Sequence, residues 1–157
     1  MPDRYWESYV IEETWESHGR TITEADIVNF AGISGDFHPV SMDEQFAKVR
    51  TPYGRRIAHG ALLFSVTMGI AWQMKMNSKN ITYGIDRVRF PNPTFIGDTI
   101  RVTGRVTLKD PYPKLPQYGV IVMRYEANNQ DGKCVFACDH RMLIEREKAD
   151  GHNARKQ

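Results

Sequence analysis

Cysteine is scarce: two in 157 residues, Cys134 and Cys138. Both fall in one predicted strand, where positions four apart lie about 13 Å from each other at ~3.3 Å per residue. A disulfide needs Cα atoms within about 7 Å, so a local bridge is excluded. His140 shares their face, but the same spacing spreads the three groups too far for one metal ion, and no metal is expected. Two reduced thiols point to a cytoplasmic setting. Long hydrophobic runs are missing too. The longest, Ala61 to Ala71, is interrupted by Ser65, Thr67 and Gly69 and closed by Gln73 and Lys75. A bilayer span takes roughly 20 apolar residues, so this segment reads as a buried helix and no membrane is implied. Nor does charge of one sign prevail. Lys and Arg number 21 against 19 Asp and Glu, a formal +2 spread along the chain, which argues against nucleic acid or an acidic membrane surface as a partner. The opening Met1-Pro2-Asp3-Arg4-Tyr5-Trp6 is charged from the start, so a secretory signal is not expected.

What is present fits one domain with a single core. Residues 3–18 form an aromatic-rich opening (Tyr5, Trp6, Tyr9, Trp15) that includes a short strand. Thr23, with Asp26 three residues on, starts a helix whose apolar side is Ile27, Val28, Phe30 and Ala31; Gly32 and Gly35 stop it. A turn spans Asp36 to Ser41, a short helix covers Asp43 to Val49, and Thr51-Pro52-Tyr53-Gly54 ends it. A helix from about Gly60 to Met76 is apolar on most of its circumference and must be enclosed by other structure.

The second half reads as strands. Ile100 to Leu108 alternates with period two, and Ile81–Phe90, Gly119–Ala127 and Lys133–Ile144 are strand-like, with Asp131-Gly132 as a hairpin turn. Residues from about 147 onward are polar and are expected to be a disordered tail. One buried helix followed by antiparallel-type strands predicts an α+β domain in which the sheet curls around that helix.

The chemistry concentrates at Ser34-Gly35-Asp36-Phe37-His38-Pro39-Val40-Ser41-Met42-Asp43 and at Ile57-Ala58-His59-Gly60. The first stretch sets a carboxylate, an imidazole and a hydroxyl close together. The second starts the long helix, whose first N–H groups are unpaired and favour negative charge.

These motifs, with Asp43, Ala47, Arg89-Phe90 and Gly97-Asp98-Thr99 following in order, resemble the MaoC-like hydratases of the hotdog fold, which include the (R)-specific enoyl-CoA hydratases. The resemblance covers roughly residues 20–145 and implies a single hotdog domain over residues 1–146. In that family the turn reads Asp-x-Asn-Pro-x-His; Asp and His hold a water that adds to a trans-2-enoyl thioester, and the Gly amide binds the thioester oxygen.

Carried over position by position, the resemblance makes Asp36 the catalytic Asp and Gly60 the oxyanion donor. His38 stands at the family's Asn and Ser41 at its His. Two roles stay open for His38: to replace the missing histidine with Asp36 as its orienter, or to donate a hydrogen bond as Asn would. Ser41-Met42-Asp43-Glu44 reads as a capping box for the short helix, with Ser41 as cap and Glu44 reaching back; the Ser41 hydroxyl can also hold water. His59 is expected to pack and fix the helix start, with contact to water or substrate as a further role. Arg55, Arg56 and Lys48 are candidate contacts for a coenzyme A phosphate, and Tyr112, Tyr118 and Trp72 are candidates to line an acyl tunnel.

The expected activity is hydration and dehydration of acyl-CoA thioesters by at least a homodimer. Coenzyme A enters only as part of the substrate and no other cofactor is expected. The alternatives are an inactive thioester-binding subunit of a heteromeric hydratase, and a hotdog thioesterase.

Overall fold

The computed structural model describes residues 3–74 and 77–147. After a 3-10 turn at Trp6–Ser8 come β1 (Thr14–Glu16), β2 (Arg20–Thr21), α1 (Glu24–Ser34), α2 (Pro39–Met42), α3 (Glu44–Arg50) and α4 (Gly60–Met74). Four longer strands follow: β3 (Asn80–Arg89), β4 (Thr99–Pro111), β5 (Tyr118–Asn128) and β6 (Cys134–Glu145). The expected α+β architecture is present: one antiparallel sheet in the order β1-β4-β5-β6-β3, with β2 also on β4, lying against α4. The opening segment contributes the expected short strand, β1, and a second, β2, follows it just before the first helix. The polar tail expected from 147 falls, apart from Glu147, outside the described residues.

Period-two patterning explains which face of the sheet meets the helix. Val102 and Val106 of β4, Ile121, Met123 and Tyr125 of β5 and Phe136, Cys138 and Ile144 of β6 turn inward onto Leu62, Leu63, Ile70 and Ala71 of α4. Enclosure of α4 is not complete. Ala61, Ser65, Gly69 and Gln73 are exposed, and their spacing of four residues puts small and polar side chains along one open stripe. The outer face of the sheet carries a smaller cluster of Val120, Val122 and Leu143, and Tyr112 and Tyr118 pack there. That places these two tyrosines across the sheet from α4, not along a tunnel beside it. Trp72 does border a cavity under α4.

β3 pairs with β6 on one side only, and its opposite edge has no partner among the described residues. Ile81 and Tyr83 on this ten-residue strand are exposed. Its ladder to β6 is interrupted twice, and Arg87 at the second interruption has φ 51°.

Candidate active site

The site begins with the way α1 starts and stops. Thr23 accepts the Asp26 N–H while Asp26 accepts the Thr23 N–H, a reciprocal cap that satisfies two orphan donors. The helix runs through Gly32 and ends at Gly35, whose φ of 75° suits a residue without Cβ and whose N–H reaches the Ala31 carbonyl. The chain therefore leaves α1 sharply, with Asp36 exposed at the start of the turn.

The turn is held by its own side chains. Asp36 Oδ1 accepts the backbone N–H of His38 at 3.2 Å. His38 caps α2: its Nδ1 accepts the Val40 N–H at 3.2 Å, and Pro39 occupies the first helical position, where no N–H is needed. An Nδ1 that accepts carries no proton, so the neutral ring holds its proton on Nε2. Asp36 and His38 make no side-chain hydrogen bond with each other; the carboxylate orients the backbone of the turn, not the imidazole.

Ser41 differs from the sequence expectation. Asp43, not Ser41, caps α3, accepting the Phe46 N–H at 2.9 Å. Glu44 pairs with Arg56 instead of reaching back. The capping box fails because Pro39–Met42 closes a helical turn of its own, which puts Ser41 inside α2 and moves the next helix start two residues on. Ser41 is 2% exposed, and its hydroxyl has no hydrogen-bond partner among the described residues. His38 at the cap and Ser41 three residues later lie on one side of that turn.

Three chain segments converge at the start of α4. Ile57 donates its N–H to the Val40 carbonyl at 3.2 Å, and Ala58 donates to Thr94 at 2.8 Å. Asp98, itself buried, fixes the Thr94 segment by accepting the Phe95 N–H. His59 Nε2 lies 2.9 Å from the Asp36 carbonyl oxygen. A carbonyl only accepts, so Nε2 is the donor and the proton-free Nδ1 is left buried without a partner. The ring also packs on Phe30, with centroids 5.3 Å apart. His59 thus ties the Asp36 turn to the helix start, as a positioning residue.

Gly60 opens α4, and no described group accepts its N–H. A Cβ at Gly60 would sit 3.1 Å from the Phe90 ring, tighter than ordinary contact, so the glycine lets an aromatic ring pack closely against the Cα side of the first helical turn. Phe90, part of the Arg89-Phe90 motif, follows β3 directly and also packs on Phe136 of β6, with ring centroids 5.4 Å apart.

The basic candidates separate. Arg56 is held between Glu24 and Glu44, at 2.6 and 3.1 Å, and its hydrogen bonds keep the Glu24 carboxyl below its usual range. Arg55 lies over the Phe95 ring, 3.7 Å from its centroid, with no carboxylate partner among the described residues. Lys48 is exposed on α3 and likewise unpaired there.

The family described as MaoC like domain matches residues 8–121. The chain belongs to this family. A 3-hydroxybutyryl-CoA dehydratase of Methylorubrum extorquens is 37% identical over 86 residues, 53% of this chain and 52% of that protein. The chain covers less than two thirds of the length of the curated relatives it matches. Among solved structures, an Archaeoglobus protein described as a monoamine oxidase regulatory protein superposes with TM-score 0.87 at 37% identity, covering 93% of this chain and 97% of its own. The R-hydratase PhaJ1 of Pseudomonas aeruginosa superposes with TM-score 0.75 at 28% identity, over 92% and 88%. The fold is therefore the hotdog fold. No helix among the described residues is long and apolar enough to cross a membrane.

Proposed function

We propose that the chain catalyses the reversible addition of water to a trans-2-enoyl thioester, as a hydratase/dehydratase of its family. One observation supports this reading: the His59 bond to the Asp36 carbonyl ties the turn that carries the Asp36 carboxylate, the His38 imidazole and the Ser41 hydroxyl to the helix start at Gly60. Hydration needs a base for water, a proton for C2 and a polariser for the carbonyl. The Gly60 amide, at the positive end of α4, receives the charge that develops on the thioester oxygen.

Asp36 takes a proton from water as the C3–O bond forms, and returns that proton to C2 as the enolate collapses. Water is thereby consumed as hydroxyl at C3 and hydrogen at C2, and the carboxylate is regenerated. His38 Nε2–H and the Ser41 hydroxyl hold the water, which gives the altered turn a positioning role in place of the family's histidine. A relay through His38 fits less well, because protonating Nδ1 breaks the cap of α2. Arg55 and Lys48 are free to meet the phosphates of coenzyme A, while Arg56 braces α1 against α3.

The unpaired edge of β3, with exposed Ile81 and Tyr83, supports pairing with a second copy, since a long open edge is a template for another strand. A cytoplasmic setting belongs to the same reading, supported by two free thiols.

The test uses crotonyl-CoA and longer enoyl-CoAs, following loss of enoyl absorbance alongside thiol release. Absorbance loss without thiol is the expected result. Thiol release would make the protein a thioesterase, and binding without either signal would make it a non-catalytic subunit.

A further inference from the structure

Beyond the turn, the most unusual chemistry lies under the other end of α4. A cavity of about 220 Å³ is bounded by Tyr9, Met68, Trp72, Thr82, Tyr125 and His140, among others. Part of this lining is apolar, but its polar groups are poorly served. His140 is 5% exposed; its Nε2 lies 2.8 Å from the Thr82 hydroxyl, and its Nδ1 has no partner among the described residues. The Tyr125 hydroxyl reaches only the Met123 sulfur, at 3.5 Å. The Tyr9 hydroxyl accepts from Asn77 at 3.0 Å, and no described group takes its proton. Buried polar groups left this way are costly unless something else satisfies them.

The cavity is in line with the proposed reaction centre. Gly60 and Ala71 are eleven residues apart, about three turns and 16 Å along the helix, so both lie on one face of α4. Ala71 lines the cavity. Thr67, between them on that face, is buried with its hydroxyl unpaired. With its thioester oxygen at the Gly60 amide, a medium-length acyl chain is long enough to reach His140 and Thr82, provided that it displaces the packing around buried Leu63 and Thr67 on this face.

Resting on the hydratase reading above, we propose that this cavity receives the distal end of the acyl chain and selects a chain bearing a neutral hydrogen-bonding group, such as a hydroxyl. His140 and Thr82 are the selecting pair. A hydroxyl suits them because it both donates and accepts, and so pairs with either arrangement of the proton between Nε2 and Oγ1. A charged chain end is excluded: no lining residue carries an opposing full charge, and burial pushes the His140 imidazole down to about 4, leaving it uncharged near neutral pH.

The test compares binding of decanoyl-CoA and ω-hydroxydecanoyl-CoA to the full chain by calorimetry, which needs no turnover. Wild type is expected to bind the hydroxylated thioester roughly three- to tenfold more tightly, the worth of one net hydrogen bond. Thr82→Val, an isosteric change on an exposed strand, and His140→Phe should each abolish that preference, with unfolding midpoints recorded for both. Equal or tighter binding of the plain chain by wild type overturns the proposal, as does a preference that survives both substitutions. Hydration of crotonyl-CoA without any preference overturns the cavity's role alone. Failure to bind either thioester or to hydrate crotonyl-CoA overturns the hydratase reading with it.

Discussion

The two ends of α4 present polar chemistry in opposite ways. At Gly60 the reactive groups are exposed or belong to the backbone: the Asp36 carboxylate, the His38 Nε2–H and the helix's own amide, held together by the buried His59. Under Met68 and Ala71 the Tyr9, Tyr125 and His140 side chains are buried and poorly partnered among the described residues, and Thr82 beside them is exposed. The first arrangement leaves room for water and substrate to do chemistry. The second is partly open, through exposed Thr82 and Trp72, and sets buried side chains where an occupant would meet them. The contrast teaches that a single helix presents different chemistry at its two ends, because its N-terminus offers free donors while its flank offers only side chains.

Breaking the Gly60 end should have the largest effect. Asp36→Asn removes the proposed base from an exposed turn, so crotonyl-CoA hydration should fall by roughly a hundred- to ten-thousand-fold while the unfolding midpoint holds. Gly60→Pro keeps a residue tolerated at the first helical position but deletes the amide donor; kcat/KM should drop by roughly a hundred- to a thousand-fold. Gly60→Ala retains the amide and only crowds Phe90, so it should lose less. Equal losses in both would assign the effect to packing.

At the opposite end the expected signature is stability against pH. His140 titrates at about 4 in the folded chain against about 6.5 unfolded. The unfolded state therefore binds the proton first, and folding stability, constant above about pH 6.5, falls as pH drops towards 4, by roughly 3 kcal/mol in total. Denaturant titrations at stepped pH should show this loss in wild type and flatten it in His140→Phe.

Smaller effects sharpen the reading of the turn. Asp43→Ala removes the true cap of α3 and should cost about 1 kcal/mol by chemical denaturation. Ser41→Ala should leave stability unchanged yet slow hydration, since its hydroxyl caps nothing. His38→Asn preserves both a capping acceptor and a donor, so its rate should stay within about fivefold of wild type. A collapse in that variant would restore the histidine relay.

Much of the fold was legible because its signals are local. The Thr23–Asp26 cap, the alternation from Ile100 and the apolar segment after Gly60 each map onto an element within a few residues. The open stripe of α4 was missed: Ser65, Gly69 and Gln73 were read only as interruptions of an apolar segment that should be enclosed. Ser41 was misread for an equally local reason. Two adjacent helical turns, α2 and α3, each have their own cap, and the pattern Ser-x-x-Glu straddles the boundary between them. The tyrosines at 112 and 118 could not be assigned to a side of the sheet, because a bulge between Val106 and Leu108 shifts the register of β4 on β5 before that hairpin.

By itself the sequence determined the family and the α+β class and named the candidate site groups, since motifs and periodicity are properties of neighbouring residues. Only the tertiary structure decided how those groups are used. The proton on His38 sits at Nε2 because Nδ1 caps a helix. Asp36 stands at the start of α4 because His59 grips its carbonyl, and His140 meets Thr82 across two strands, fifty-eight positions apart in the chain. Each of these is a hydrogen bond set by backbone geometry or by long-range packing, and neither is written in residue order.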